Sequence, residues 1–371
     1  MKIGVPAEIK DNENRIAINP SMVQDLTEQK HTVFIKSNAG TGSGISDKDF
    51  KEAGAVLLAD NEEVYSRSEM IIKVKEPLPE EYQFFQENQI LFTYIHLAAD
   101  KGLTDFLLEK NITAIGYETV QVEDGSLPLL TPMSEIAGKL AVQEGVSFLT
   151  KSKSGKGILP GGVAGVSPAR IVIIGGGTVG KNSARIALGL GAEVTVLDID
   201  VNQLRYLEDI FFQKKLITLF SSKNNIYKEV TRADLIIGAV LIPGAKAPNL
   251  ITEDMVKDMK KNTVMVDVAI DQGGCIETMH PTTYSDPVYK KHDVIHYGVA
   301  NIPGAVPRTA TFALTNATQD YIYQIAEKGF KQALLDNSAL LKGLNVYENK
   351  VTNKAVAESF GYEFVSPEKL L

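Results

Sequence analysis

Short apolar runs alternate with stretches of helical spacing along most of this chain. In the first third, β-branched and aliphatic runs stand at IGVP (3–6), TVFIKS (32–37), AVLLA (55–59), MIIKVK (70–75), QILFTYIH (89–96) and TAIGYETV (113–120). Runs of this kind predict strands. Between them, SMVQDLTEQ (21–29), DKDFKEAG (47–54) and TDFLLEK (104–110) place apolar residues one helical turn apart, which predicts helices. The rhythm resumes with strands at RIVIIG (170–175), EVTVLD (193–198), LITLF (216–220), ADLIIGAV (233–240) and TVMVDVAI (263–270). Strands separated by helices call for parallel pairing, with helices covering both sheet faces. The expected class is α/β, built as two Rossmann-like, doubly wound parallel-sheet domains.

The segments outside this rhythm suggest how the domains are threaded. PMSEIAGKLAVQEGVSFLT (132–150) reads as one long helix, with Thr131 or Ser134 capping its start. KSKSGKGILPGGVAGVSPAR (151–170) is rich in Gly, Ser and Lys and reads as a surface connection. TFALTNATQDYIYQIAEKGFKQALL (311–335) predicts a helix long enough to return to the first domain, followed by a short tail. The expected organisation is a discontinuous substrate domain, 1–130 and 306–371, with a dinucleotide domain, 131–305, inserted in it.

Composition narrows the function classes. At 371 residues the chain is long for one core, and 44% hydrophobic residues suffice for two. A formal net charge of -8 argues against nucleic acid as the main partner, because phosphate binding wants clustered Lys and Arg. One cysteine, Cys275, precludes an internal disulfide framework and fits a reducing compartment. No run approaches the roughly 20 apolar residues of a membrane span, and MKIGVPAEIK carries no signal-like apolar region. A cytoplasmic protein with no membrane partner is expected. The five histidines are scattered without metal-ligand spacing, so no metal is expected.

RIVIIGGGTVGKNSARIALGLGAEVTVLDID (170–200) carries the clearest chemistry. Gly175, Gly177 and Gly180 fit GxGxxG between a strand and a helix. The first glycine permits a tight turn, the second lets backbone approach a pyrophosphate, and the third lets helix pack on strand. The helix start offers unpaired N–H groups and a positive dipole end to phosphate. Asp198 ends the next strand, where a carboxylate receives a ribose 2′-hydroxyl and repels a 2′-phosphate. NAD is therefore expected over NADP. Arg205 follows and reads as a solvated helix charge.

Ligands of open α/β sheets sit beyond the carboxyl ends of the strands. Arg15 follows the first strand, Lys75 ends MIIKVK, His96 ends QILFTYIH, and Asp271 follows TVMVDVAI. Two cations, an imidazole and an acid suit a carboxylate substrate and proton transfer. Each has a plainer reading: a solvated loop arginine, a lysine paired with Glu76, a bonded core histidine, and an aspartate capping DQGG. Falling together at strand ends, they predict one site.

These residues lie in segments that resemble the alanine dehydrogenases over nearly the whole chain. The segments include GVPAEIKDNENRIAINP (4–20), IIKVKEPLPEEY (71–82), LFTYIHLAAD (91–100) and LPLLTPMSEIAGKLA (127–141). They continue through GKGILPGGVAGV (155–166), AVLIPGAKAP (239–248), VDVAIDQGG (266–274) and VANIPGAVPRTAT (299–311). Ala7 and Ala164 depart from the family pattern, and neither stands at a functional position. The resemblance implies that Arg15 and Lys75 bind substrate and that His96 and Asp271 are catalytic. It implies NAD contacts at Ser134, Gly175, Gly177, Thr178, Val179, Gly180, Asp198, Ser221, Val240 and Leu241. Further contacts follow at Val268, Ala269, Ile270 and Asp271, and at Val299, Ala300, Asn301 and Ile302. The implied reaction interconverts L-alanine with pyruvate and ammonia, in a homo-oligomer, commonly a hexamer. A transhydrogenase nucleotide-binding component is the nearest rival, and a saccharopine-dehydrogenase-type reductase a more distant one. A non-catalytic NAD sensor has no need of Arg15, Lys75, His96 and Asp271 together.

Overall fold

The computed structural model describes residues 1–212, 215–240, 248–270 and 273–371. They form two compact units, Met1–Met133 with Gly304–Leu371, and Ser134–Pro303. The strands of the first unit are β1 (Lys2–Val5), β2 (Thr32–Lys36), β3 (Val56–Leu58), β4 (Met70–Ile72), β5 (Ile90–Thr93) and β6 (Thr113–Gly116). The second unit contains β7 (Arg170–Ile174), β8 (Glu193–Asp198), β9 (Leu216–Phe220), β10 (Leu235–Gly238), β11 (Val264–Asp267), β12 (Val288–Lys291) and β13 (Val294–Tyr297). The chain then returns to the first unit with β14 (Leu344–Tyr347) and β15 (Lys350–Val351).

Among the described residues the first sheet has the order β15-β14-β6-β5-β4-β1-β2-β3. Strands β1 to β6 pair in parallel, while β14 and β15 are added antiparallel. β4, β5 and β6 are buried throughout, as strands covered on both faces must be, which is why they read as continuous apolar runs. The second sheet has the order β12-β13-β11-β10-β7-β8-β9, parallel except for the β12–β13 hairpin. Both sheets reverse winding beside their first strand, between β1 and β4 and between β7 and β10. Such switch points leave a crevice at the carboxyl edge.

Local signals set most boundaries. Asn19 caps helix Pro20–Glu28 by accepting from the Met22 N–H, with proline preset at the first turn. Ser46 and Asp49 form a capping box on helix Asp47–Glu52. Three expectations need correction. The run 113–120 leaves strand geometry at Gly116 and turns through Tyr117–Thr119 as a 3-10 helix. The helix expected over 311–335 runs Pro307–Lys328, breaks at Gly329 (φ 76°), and restarts as Phe330–Asp336. The short tail, to which the sequence pattern assigns no element, supplies β14, β15 and helix Lys354–Phe360 to the first unit. Among the described residues, no helix is long and apolar enough to cross a membrane.

Candidate active site

In the first unit, three neighbouring strand ends carry the predicted groups. Arg15 lies in the loop after β1, Lys75 after β4 and His96 after β5. The Arg15 loop is fastened to the C-terminal segment: Thr311 Oγ1 accepts from the Ile16 N–H at 3.1 Å, and Asn19 Nδ2 donates to Thr315 Oγ1 at 2.8 Å. Helix Pro307–Lys328 is therefore the floor on which this loop rests.

Arg15 is 3% exposed, and Glu13 grips it on two sides: Nε donates to Oε1 at 2.7 Å and Nη2 to Oε2. Nη1 faces Met133 Sδ at 3.2 Å. Burial alone lowers the pKa of a guanidinium, but the Glu13 hydrogen bonds and charge outweigh it and hold Arg15 above its ordinary value. A buried, permanently charged fork is what a small carboxylate needs. Tyr94 joins this group; its ring lies parallel to that of His96, with centroids 6.2 Å apart, and its hydroxyl donates to the Leu129 carbonyl.

Lys75 is 7% exposed and follows β4 in a segment held by Glu8, whose carboxylate accepts from the Val74 N–H at 2.6 Å and the Lys75 N–H at 3.3 Å. Burial disfavours the Glu76 carboxylate, yet Lys75 and Lys10 beside it bring its pKa below the ordinary range. Lys73 forms a second, deeper layer, 3.2 Å from Glu8 and 2.7 Å from Glu81. Tyr65 donates to Glu81 at 2.9 Å. Burial opposes the Lys73 ammonium, but the two carboxylates hold its pKa up; burial also raises Glu8 against the pull of Lys73.

His96 occupies the left-handed region, φ 47° and ψ 38°, an uncommon conformation for a side-chain-bearing residue. Its backbone N–H donates to Glu118 Oε1 at 2.6 Å, and its side chain is 35% exposed. Sequence reading missed Glu8, Glu13, Lys73, Glu81, Tyr94 and Glu118. Only Lys73 left a trace there, as a charge inside an apolar run.

In the second unit the glycine run forms the turn between β7 and helix Thr178–Gly189. Gly175 has φ 101°, and a Cβ on it would lie 2.7 Å from the Ala239 carbonyl, where β7 and β10 diverge. A Cβ on Gly180 would lie 1.8 Å from the Gly175 carbonyl, so helix and turn touch through backbone. Gly177 begins helix Thr178–Gly189 with open space around it and no side-chain cap. Thr178 and Val179 follow in the first turn. The residues fit a dinucleotide: uncapped N–H groups, room above Gly177 and close backbone packing below it. Asp198 ends β8, its Oδ2 accepting from the Gly176 N–H at 2.6 Å and its Oδ1 from the Asp200 N–H at 2.8 Å. The Ser221 N–H bonds the Asp198 carbonyl, so these two stand side by side. Arg205 is exposed and donates to Asn202 on its own helix.

Val240 follows β10, and Val268, Ala269 and Ile270 follow β11 at the same sheet edge. Asp267 organises that turn, its carboxylate accepting from the N–H groups of Ala269, Cys275 and Ile276. Burial pushes its pKa up to about 6 against those bonds. Val299, Ala300, Asn301 and Ile302 follow β13; the Tyr284 hydroxyl donates to Ile302 and the Ala300 N–H to Thr282. Ser134 is half-buried in helix Thr131–Ser147. Leu241 and Asp271 lie outside the described residues.

Comparison with known proteins identifies the family. The family models described as alanine dehydrogenase/PNT, N-terminal and C-terminal domain, match residues 4–137 and 141–354. An alanine dehydrogenase of Methanococcus maripaludis is 57% identical over 372 residues, covering 100% of both chains. A solved L-alanine dehydrogenase superposes with a TM-score of 0.93 at 50% identity, over 97% of this chain and 99% of that one. A transhydrogenase from Sinorhizobium meliloti has a TM-score of 0.80 at 21% identity, over 96% of this chain and 100% of that one, a likeness of fold alone. Matched over most of its length by the two family models and over its whole length by the relative, the chain belongs to the alanine dehydrogenase/PNT family.

Proposed function

We propose that the protein is an NAD-dependent alanine dehydrogenase, converting L-alanine, NAD⁺ and water to pyruvate, ammonium, NADH and a proton, and running the reverse. The observation that carries this reading is the buried Arg15 fork, aligned with Lys75, Tyr94 and His96 along one sheet edge, in a chain matched end to end by alanine dehydrogenases. In this reading the domain of 1–130 and 306–371 binds substrate, and 131–305 binds the dinucleotide.

When bound, the nicotinamide supplies a hydride acceptor. Arg15, held by Glu13, fixes the alanine carboxylate and thereby orients Cα. Once the alanine amine is deprotonated, loss of hydride from Cα leaves an iminium, to which water adds with release of a proton; a proton then moves from the hydroxyl to the nitrogen as the carbinolamine collapses to pyruvate and ammonia. His96 carries protons in these steps, a task suited to an imidazole near neutral pH. Lys75 polarises the oxygen that becomes the pyruvate carbonyl. Asp271 assists the water or ammonia. Gly175, Gly177, Thr178, Val179 and Gly180 hold the pyrophosphate, and Asp198 and Ser221 the adenosine ribose. The Asp198 carboxylate favours NAD, because a 2′-phosphate there meets like charge. Ser134, Val240, Leu241, Val268 to Asp271 and Val299 to Ile302 complete the cofactor contacts.

The same reading makes the protein a cytoplasmic homo-oligomer, a hexamer. Leu159, Val163 and Val166 support association; these aliphatic residues of one loop are 62%, 62% and 63% exposed. Light scattering tests it. The activity is tested by following NADH with pyruvate plus ammonium, with pyruvate alone, and with an oxidised nucleotide acceptor. Oxidation only when pyruvate and ammonium are both present is expected. Oxidation by the nucleotide acceptor instead defeats the reading.

A further inference from the structure

Glu118 lies 22 residues beyond His96 in sequence, in the 3-10 turn after β6, yet it meets His96 at every level. One oxygen accepts from the His96 N–H at 2.6 Å; both oxygens receive the Ile95 N–H, at 3.2 and 3.3 Å. The same Oε1 stands 3.9 Å from His96 Nδ1, within ion-pair range and just beyond a hydrogen bond. The Glu118 side chain is 15% exposed, so it is largely withdrawn from water.

These contacts do two things. Two adjacent backbone N–H groups converging on one carboxylate hold a left-handed turn that His96 does not adopt by preference. The negative charge beside Nδ1 also favours the tautomer with its proton there, which leaves Nε2 as the basic nitrogen. Tyr94, parallel to the imidazole, limits the ring on a second side. We infer that Glu118 is the positioning residue for His96, setting both its turn and its tautomer. The inference rests on the reading of His96 as the proton carrier.

Glu118→Gln separates the two tasks. With its oxygen at the Oε1 position the amide still accepts the His96 and Ile95 N–H groups, but the negative charge beside Nδ1 is gone, and with it the preference for the tautomer protonated there. Replacing an orienting carboxylate by its amide, with geometry kept, costs up to about 10⁴ in turnover at a histidine base. With Nδ1 at 3.9 Å we expect kcat to fall about 10²-fold, and the pyruvate KM to move by less than about threefold. Exchange of the 94–99 amides, read by mass spectrometry, stays as in the parent. Glu118→Ala loses the same activity and also exchanges faster in that segment.

The deciding measurement is a double-mutant cycle with His96→Ala. If Glu118 acts through His96, adding Glu118→Gln to His96→Ala causes no further loss of kcat. Multiplication of the two losses overturns the inference, as does parent-like kcat in Glu118→Gln beside an inactive His96→Ala. Should Glu118→Gln fail to fold, Glu118→Asp replaces it; the retained charge should keep kcat above that of Glu118→Ala, and equal loss overturns the inference. Near-parent turnover in His96→Ala instead removes the proton-carrier reading, and this inference with it.

Discussion

Replacing Lys73 by Met removes the ammonium that lies 3.2 Å from Glu8 and 2.7 Å from Glu81 beneath the Lys75 strand end. All three side chains are almost fully buried, at 0%, 4% and 1% exposure, so water does not replace the lost partner. Deleting one member of a buried ion pair costs about 3–5 kcal/mol, chiefly because a charge is left uncompensated. For a unit of roughly 200 residues, each kcal/mol moves the midpoint by about 2–4 °C. A fall in Tm on the order of 10 °C is expected by differential scanning calorimetry at pH 8, with scan rate fixed for both proteins. The defect has a signed pH dependence. Burial already holds the Glu8 carboxyl above its ordinary value against the opposing Lys73, and removing Lys73 raises it further. A carboxyl raised in the folded state lowers stability as pH climbs through its pKa, and the loss is recovered on acidification. The gap between variant and parent should therefore narrow from pH 8 to pH 5.5. Adding Glu8→Gln to the variant should restore part of the loss, because one of the two stranded carboxylates is then gone. A drop below about 2 °C at pH 8, or a gap that widens on acidification, refutes the reasoning.

Gly180→Ala places a methyl 1.8 Å from the Gly175 carbonyl, so the helix start must move away from the turn. Titration calorimetry should show NADH affinity reduced at least about tenfold, and unchanged affinity would clear Gly180 of this packing role. Arg15→Met removes a charge-assisted contact worth about 1.5–3 kcal/mol, so the pyruvate KM should rise roughly 10- to 100-fold; a parent-like KM removes Arg15 from the carboxylate site. Asp198→Ala takes away the carboxylate that disfavours a 2′-phosphate. The ratio of kcat/KM for NAD to that for NADP should fall, and steady-state rates with both cofactors measure it.

Much of the architecture was readable because burial on both faces leaves an apolar run in the sequence. β4, β5 and β6 are such strands, and Lys75 and His96 stand out because a polar residue follows each run closely. GxGxxG was readable because backbone packing admits little else at Gly175 and Gly180, and Asp198 because it closes the next apolar run. What escaped was set by distant partners. Glu118 sits inside TAIGYETV, which continues the strand pattern, and only folding reveals that the strand stops at Gly116. Glu13 looks like one more charge in a polar loop, although Arg15 draws it to 7% exposure. The β12–β13 hairpin turns at His292 and Asp293, with φ of 52° and 62°, where the common Asn-Gly signal is missing. β15 is only two residues long, Lys350–Val351, too short to show a period.

The antiparallel pairing of β14 with β6 has a consequence for synthesis on the ribosome. The first unit takes residues from Met1–Met133 and from Gly304–Leu371, whereas the second is continuous from Ser134 to Pro303. The amino-terminal strands therefore leave the exit tunnel long before helix Pro307–Lys328 can brace the Arg15 loop, and the later-made unit has its full complement of residues sooner. Until the final strands are translated, one edge of the earlier sheet stays open to wrong pairing, the stage at which chaperone capture is most useful.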